Sequence, residues 1–387
     1  VSDSLRDKLR PTVLSVDLDA IISNLRLLKD YTRGRSQLAV VKANAYGMGA
    51  VPVARALIKG GAAWLGVALA EEGVQLRRAG LSVPILMLGP AAPSQAGLLL
   101  RENITPAVYS IGFLKALERE AELGDTTFEA HLKIDSGMGR VGFRPEEIPA
   151  VLTALARSPR VRITGLFSNL ASADDPASSQ TEGQLALFLE IAENLRSSGV
   201  ELQWIHLANS SGLLAHPDTH LSLCRPGLSL YGLRPSAALP DIGLKAALTL
   251  ETVVSQVKHM PADVPVGYSA SYFTPHDQPV GILPVGYADG LPRLLSNRGS
   301  VLIGGKRCPI IGRVSMDLTA VNLEPAGTVY EGTPVTLWGR DGQESLGPWD
   351  WARWSQTIPY EVMTGVGCRV ARTYIEQNRR WTESTLL

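Results

Sequence analysis

The sequence predicts an α/β fold of parallel strand–helix units followed by a second, mainly-β domain. Three observations carry this. From residue 12 to about residue 230, short β-branched or apolar runs alternate with longer runs of helical spacing, the pattern of parallel βα units. Beyond the loop Pro235–Pro240 the helical periodicity fades, and short apolar runs stand between Gly and Pro turns. Finally, the run Leu38–Val41 ends in Lys42 and passes straight into Gly-rich sequence, which places an amine at the C-terminal end of a buried strand.

Taken in order, the strand-like runs of the first part are Val13–Val16, Leu38–Val41, Leu65–Leu69, Ile85–Leu88, Ile104–Tyr109, Ala130–Ile134, Ile163–Phe167, Ile205–Ala208 and Leu228–Leu230. Helical spacing is clear at Met48–Lys59, Ala150–Leu155 and Leu185–Leu195. Nine strands are one too many for a closed eight-stranded barrel, so the first or the last lies outside it. In the second part, Leu248–Val254, Val280–Leu283, Ser300–Ile303, Leu318–Val321 and Val335–Leu337 read as strands, with one helical stretch near Pro348–Thr357. The domains so drawn are residues 1–240 and 241–387. No repeat of 20 to 50 residues is visible.

Composition narrows the function. A chain of 387 residues is long enough for two sizeable cores. Lys+Arg and Asp+Glu both total 37, and no basic stripe or basic amphipathic segment points to nucleic acid or a membrane surface. Cys224, Cys308 and Cys368 are odd in number and widely spaced, which disfavours a disulfide framework or a zinc site. The histidines show no metal-ligand spacing. Residues 1–8 lack an apolar signal core and no apolar run spans a bilayer, so a cytoplasmic location is expected.

The string Val40-Val41-Lys42-Ala43-Asn44-Ala45-Tyr46-Gly47-Met48-Gly49 holds the first candidate chemistry. A lysine at a buried strand end loses its proton readily and suits a Schiff base. Equally, such a lysine can simply snorkel to solvent. The string resembles the pyridoxal-phosphate attachment motif of the alanine racemases, in which the lysine holds the cofactor; Met48 stands where that family usually has His. The resemblance implies a (β/α)8 TIM-type barrel whose first strand belongs to the other domain, followed by a C-terminal β-domain. It also implies a homodimer with shared active sites, and interconversion of L- and D-alanine that supplies D-alanine for peptidoglycan.

Other strings extend the resemblance over residues 12–374. His131-Leu132-Lys133-Ile134-Asp135-Ser136-Gly137-Met138-Gly139-Arg140 matches a motif whose arginine meets the cofactor's phenolic oxygen and the substrate carboxylate; the position of Lys133 is often carbamylated there. By itself Lys133 reads equally as a surface or ion-paired lysine. His206-Leu207-Ala208-Asn209-Ser210 implies phosphate binding by Ser210 and support from His206, although a serine there also suits a helix N-cap. Arg225-Pro226-Gly227-Leu228 implies an arginine at the pyridine nitrogen and N–H groups of Gly227 and Leu228 on the phosphate; a barrel-end salt bridge is the plainer reading of Arg225. Tyr268 matches the second catalytic base, although tyrosines in β-domains usually sit half-buried in the core. Met316 matches a substrate contact from the partner subunit. Tyr46 and Tyr360 match tyrosines that line the phosphate.

One position departs. Asn169 stands where the family has a histidine in the chain that tunes the catalytic tyrosine, and an amide gains no proton near neutrality. A racemase of broader specificity (serine, lysine), a fold-related decarboxylase of basic amino acids and a non-catalytic carrier of pyridoxal phosphate are the alternative readings. The carriers lack a second domain.

Overall fold

The computed structural model describes residues 10–384, so the reading of residues 1–8 lies outside the described residues. The chain divides into two units. One comprises residues 20–45 and 50–246; the other comprises residues up to 19, residues 46–49 and residues from 247 onward.

The first unit is a nearly closed parallel barrel. Its strands are β2 (Ser36–Val40), β3 (Trp64–Val67), β4 (Ile85–Met87), β5 (Thr105–Val108), β6 (Phe128–Lys133), β7 (Val161–Phe167), β8 (Trp204–His206) and β9 (Leu223–Cys224), in the order β8-β7-β6-β5-β4-β3-β2-β9. The strands are almost wholly buried, as apolar runs covered on both faces must be. At the seam, Ser222 N–H donates to Ile205 C=O at 3.1 Å and Arg225 N–H to Ala208 C=O at 2.9 Å. The Ser222 hydroxyl adds an acceptor for Ile205 N–H at 2.7 Å.

Helices α1 (Leu18–Tyr31), α2 (Ala50–Gly60), α3 (Ala70–Arg78), α4 (Ala96–Arg101), α5 (Ile111–Leu123), α6 (Ile148–Leu155), α7 (Gln180–Ser197) and α8 (Ser210–Ala215) follow in turn. The last barrel strand, β9, differs from expectation. It lies just before Arg225, and Leu228–Tyr231 forms a 3-10 turn instead, closed by Gly232 at φ +85°. Asn24 of α1 holds the chain beyond this turn. Its amide donates to the carbonyls of Leu230 (3.0 Å) and Lys245 (2.8 Å) and accepts Lys245 N–H at 2.7 Å.

The second unit is a mainly-β sheet, ordered β11-β12-β15-β14-β13-β16-β10-β1-β18-β19, with β17 on β16. Here β1 is Val13–Asp17, β10 Leu248–Val253, β11 Gln256–Met260, β12 Gln278–Leu283, β13 Ser300–Ile303, β14 Lys306–Ile311, β15 Thr319–Asn322, β16 Pro334–Asp341, β17 Glu344–Leu346, β18 Ala371–Glu376 and β19 Arg379–Glu383. The first strand is thus the one outside the barrel. β1 pairs antiparallel with β10, Val13 opposite Glu251, and parallel with β18, Val13 opposite Ala371. Two helices interrupt the strands between β17 and β18, α9 (Pro348–Ser355) and α10 (Pro359–Thr364), where one was expected. Trp338 of β16 and Trp351 of α9 meet edge-to-face at 5.0 Å in the core. No helix among the described residues is long and apolar enough to cross a membrane.

Asn24 is fully buried, so its removal strands the buried carbonyl of Leu230 and takes a partner from the part-buried carbonyl and N–H of Lys245. Asn24→Ala is expected to lower stability by about 2–4 kcal/mol, read as a fall in the urea midpoint of barrel unfolding. A loss below about 0.5 kcal/mol would mean that these bonds are replaced by others.

Candidate active site

Lys42 stands two residues past β2, at the C-terminal end where barrel strands present reactive groups. Beyond it the backbone turns left-handed. Ala43, Asn44, Ala45 and Tyr46 have φ of 52°, 54°, 53° and 57°. None is glycine, and each such residue costs roughly 1–2 kcal/mol. Within the turn Ala45 N–H donates to Val41 C=O at 2.8 Å. Outside it, Ala43 N–H donates to Glu72 Oε1 at 2.6 Å and the Asn44 side chain accepts Ala50 N–H at 2.7 Å, opening α2. The helix expected from Met48 therefore begins at Ala50.

Burial pushes the Lys42 amine below its ordinary pKa; Arg140 and Arg225 push it the same way, and Glu72 opposes them. The uncharged amine, a proton acceptor, is thereby reached more readily than in a free lysine.

Arg225 is buried, yet no carboxylate among the described residues meets it. Its guanidinium donates to the carbonyls of Ser168 (2.7 Å), His206 (2.8 Å) and Leu207 (3.2 Å) and to His206 Nδ1 at 3.1 Å. The salt-bridge reading fails on this geometry. Burial brings its pKa down to about 10, so it remains a cation.

Because arginine only donates, His206 Nδ1 is an acceptor and Nε2 carries the hydrogen, which passes to His131 Nδ1 at 2.9 Å. Both imidazoles stay neutral. Burial and Arg225 lower His131 to about 3, and burial, Arg225 and His131 drive His206 well below its usual value. The ring of His131 occupies the space above Gly165 of β7. A Cβ there would stand 2.4 Å from the imidazole, which is why that strand carries a glycine.

Lys133, at the end of β6, is 2% exposed, which excludes a surface lysine. Its Nζ donates to Ile134 C=O at 2.6 Å and lies 5.5 Å from the Phe167 ring centre. Burial, with Arg225, lowers its pKa to about 7, while Asp135 pulls upward. The following turn is organised by Asp135. Oδ1 accepts the N–H groups of Gly137, Met138 and Gly139, and Oδ2 accepts that of Arg140, at 2.9–3.0 Å. Burial raises this carboxyl, but the N–H donors outweigh it and hold it below the usual range. Arg140 is thereby presented, exposed, on a fixed loop.

On α8 the cap is Asn209, whose side chain accepts Gly212 N–H at 2.9 Å. Ser210 does something else: its hydroxyl accepts Gly227 N–H at 2.9 Å and Ser229 N–H at 3.4 Å, so Ser210, Gly227 and Leu228 share one small, buried cluster. Asn169 is half-buried after β7, and its carbonyl accepts from Gln184 of α7 at 2.9 Å.

Sequence reasoning missed two residues here. Glu72, third residue of α3, was signalled only as an acidic residue opening a helix. Tyr109, just past β5, donates to Leu88 C=O and feels both Arg140 and Arg225; burial raises its pKa and the two arginines pull it down. Its place at a strand end was its only signal.

In the second unit Tyr268 is 71% exposed and Met316 52%, so neither is a core residue of its own unit. Tyr46 is buried there, its ring 6.0 Å from that of Tyr360. Burial and Tyr360 together raise its phenol pKa. Arg372 donates to Gly47 C=O at 2.9 Å and Tyr374 to Met48 C=O at 3.1 Å, so residues 46–49 are bound into this unit.

Comparison with known proteins places these features in a family. The model of the alanine racemase N-terminal domain matches residues 16–235, and that of the C-terminal domain matches residues 247–374. The chain is 42% identical to an alanine racemase of Symbiobacterium thermophilum, over 95% of this chain and 98% of that one. It is similar in structure to alanine racemase from Bacillus anthracis with bound L-Ala-P (TM-score 0.92, 35% identity, 97% and 98% covered). It is also similar to that from Bartonella henselae with covalently bound pyridoxal phosphate (TM-score 0.86, 30% identity, 94% and 99% covered).

Proposed function

The chain belongs to the alanine racemase family, and from that premise we propose that it interconverts L- and D-alanine by two-base proton exchange at Cα, with pyridoxal 5'-phosphate held on Lys42. The observation that carries this is the place of Lys42: an amine at the C-terminal end of a barrel strand, near enough to Arg140 and Arg225 for both to lower its pKa.

The residues fit the cofactor. Among the described residues Arg225 is a buried cation with neutral partners, and Arg140 and Arg225 both act on Lys42 and Lys133, against one acid each, Glu72 and Asp135. Such a positive surplus suits a phosphate and a substrate carboxylate. Ser210, Gly227 and Leu228 would hold the phosphate through hydroxyl and N–H groups, with Tyr46 and Tyr360 lining it. Arg225 would face the pyridine nitrogen and resist its protonation, oriented by His206. Bound there, pyridoxal phosphate supplies a conjugated ring that spreads the charge left at Cα.

Racemisation needs a proton acceptor on each face of the substrate. Lys42 takes the proton of the D-enantiomer, and the partner subunit's Tyr268 takes that of the L-enantiomer. Arg140 binds the substrate carboxylate, and the partner subunit's Met316 bounds it. We read the protein as a cytoplasmic homodimer that supplies D-alanine for peptidoglycan.

Purified protein given pyridoxal phosphate is expected to convert L-alanine to the D-form faster than it converts L-serine or L-lysine. Borohydride should then fix the cofactor on the peptide containing Lys42. Labelling of another lysine removes the assignment, and equal rates on the three substrates favour a broad-specificity racemase.

Lys133 is read as a carbamate that orients Arg140. Carbon dioxide adds only to an uncharged amine, and a pKa of about 7 leaves roughly half of this one uncharged near neutrality. Carbon-13 NMR with labelled bicarbonate is expected to show one carbamate signal that disappears in Lys133→Ala. Persistence of the signal in that variant would falsify the assignment.

The shared site has its own test. Lys42→Ala and Tyr268→Phe are each expected to be nearly inactive as homodimers. In a mixed dimer both lesions fall in one site and the other site is whole. Random exchange makes about half the dimers mixed, so roughly a quarter of unmutated activity should return. A size tag on one variant verifies exchange. Mixed dimers without activity rule out the trans arrangement.

A further inference from the structure

The left-handed turn after Lys42 has no glycine to favour it, so its geometry must be imposed from outside. Its own bond, Ala45 to Val41, leaves the N–H of Ala43 without a partner inside the turn. That N–H donates to Glu72 Oε1 at 2.6 Å. The other oxygen of the same carboxylate, Oε2, accepts Ala68 N–H at 2.7 Å and Leu69 N–H at 3.2 Å, in the loop between β3 and α3. An acid that served only as a cap for α3 would need nothing beyond Oε2. Oε1 reaches instead to the residue that follows Lys42, so a single side chain ties together the loops after β2 and β3.

We propose that Glu72 is a positioning residue for Lys42: its carboxylate pins Ala43, fixes the left-handed turn, and thereby sets where the amine stands at the mouth of the barrel. The proposal rests on the reading of Lys42 as the cofactor-bearing amine. A carboxylate is required because both of its oxygens accept. A glutamine offers one acceptor oxygen and an NH2 group that would face another donor, so it can serve Ala43 or the Ala68–Leu69 pair but not both.

The test uses full-length Glu72→Gln and Glu72→Ala. Hydrogen exchange at the Ala43 amide is followed without added cofactor, and release of pyridoxal phosphate from the loaded protein is followed by absorbance. Glu72→Ala is expected to speed exchange at Ala43 by about tenfold or more, as loss of a charge-assisted bond implies, while amides in β2 and α2 keep their rates. Glu72→Gln should do the same at Ala43 or at the Ala68–Leu69 pair, whichever its single oxygen leaves unserved. Cofactor release should quicken wherever exchange at Ala43 does. Unchanged exchange at Ala43 in folded Glu72→Ala, or at all three amides in folded Glu72→Gln, overturns the proposal. Faster exchange at Ala43 with unchanged release overturns it too, because the turn would then not position Lys42. Should Glu72→Ala fail to fold, the glutamine variant decides. If borohydride labels another lysine of the unmutated protein, the cofactor reading falls on separate grounds, and the exchange result still reports on the turn.

Discussion

The barrel depends on keeping a guanidinium charged inside it. Burial makes an unpaired cation costly, and Arg225 meets that cost with three carbonyls and one imidazole rather than with an acid. Much of the local sequence follows from this choice. His206 must accept at Nδ1, which fixes its hydrogen on Nε2 and requires an acceptor in His131. The ring of His131 in turn requires Gly165 to lack a side chain. Strands β6, β7, β8 and β9 are thus coupled by one directed line of hydrogen bonds that ends in a fixed positive charge. A carboxylate partner would have stabilised the arginine just as well, but it would have cancelled the field felt by Lys42, Lys133 and Tyr109.

The parts of the fold legible in sequence were those where burial is two-sided. Ile85–Met87 and Val161–Phe167 are apolar throughout or nearly so, and their runs were visible within a residue or two. The second unit was harder for a physical reason. Gln256–Met260 and Arg379–Glu383 sit at opposite ends of the sheet, mostly exposed, so they carry neither an apolar run nor a clean alternation. β9 was misplaced because Leu228–Leu230 is the more apolar run, although those residues form a turn beneath Ser210. The residues of the site were legible as types at strand ends, and their motifs named them. What sequence could not show is support from a distance. Glu72 lies 30 residues past Lys42, and nothing in its helix-opening pattern says that one oxygen reaches back to Ala43. Ser210 likewise looked like a cap, which Asn209 in fact provides.

The two bases of the proposed reaction pose one electrostatic problem, and a positive surplus answers it for both. An amine accepts a proton only when uncharged, and neighbouring cations favour that form; a phenol accepts one only when ionised, and the same cations favour that form as well. Lys42 experiences the first effect through Arg140 and Arg225. Tyr109 shows the second within the same unit, since both arginines draw its phenol down against the opposing effect of burial. Tyr268 stands 71% exposed on its own unit. On the shared-site reading, the partner's barrel would set its own arginines near that phenol, and an amide at Asn169, which both donates and accepts, need not itself carry a proton.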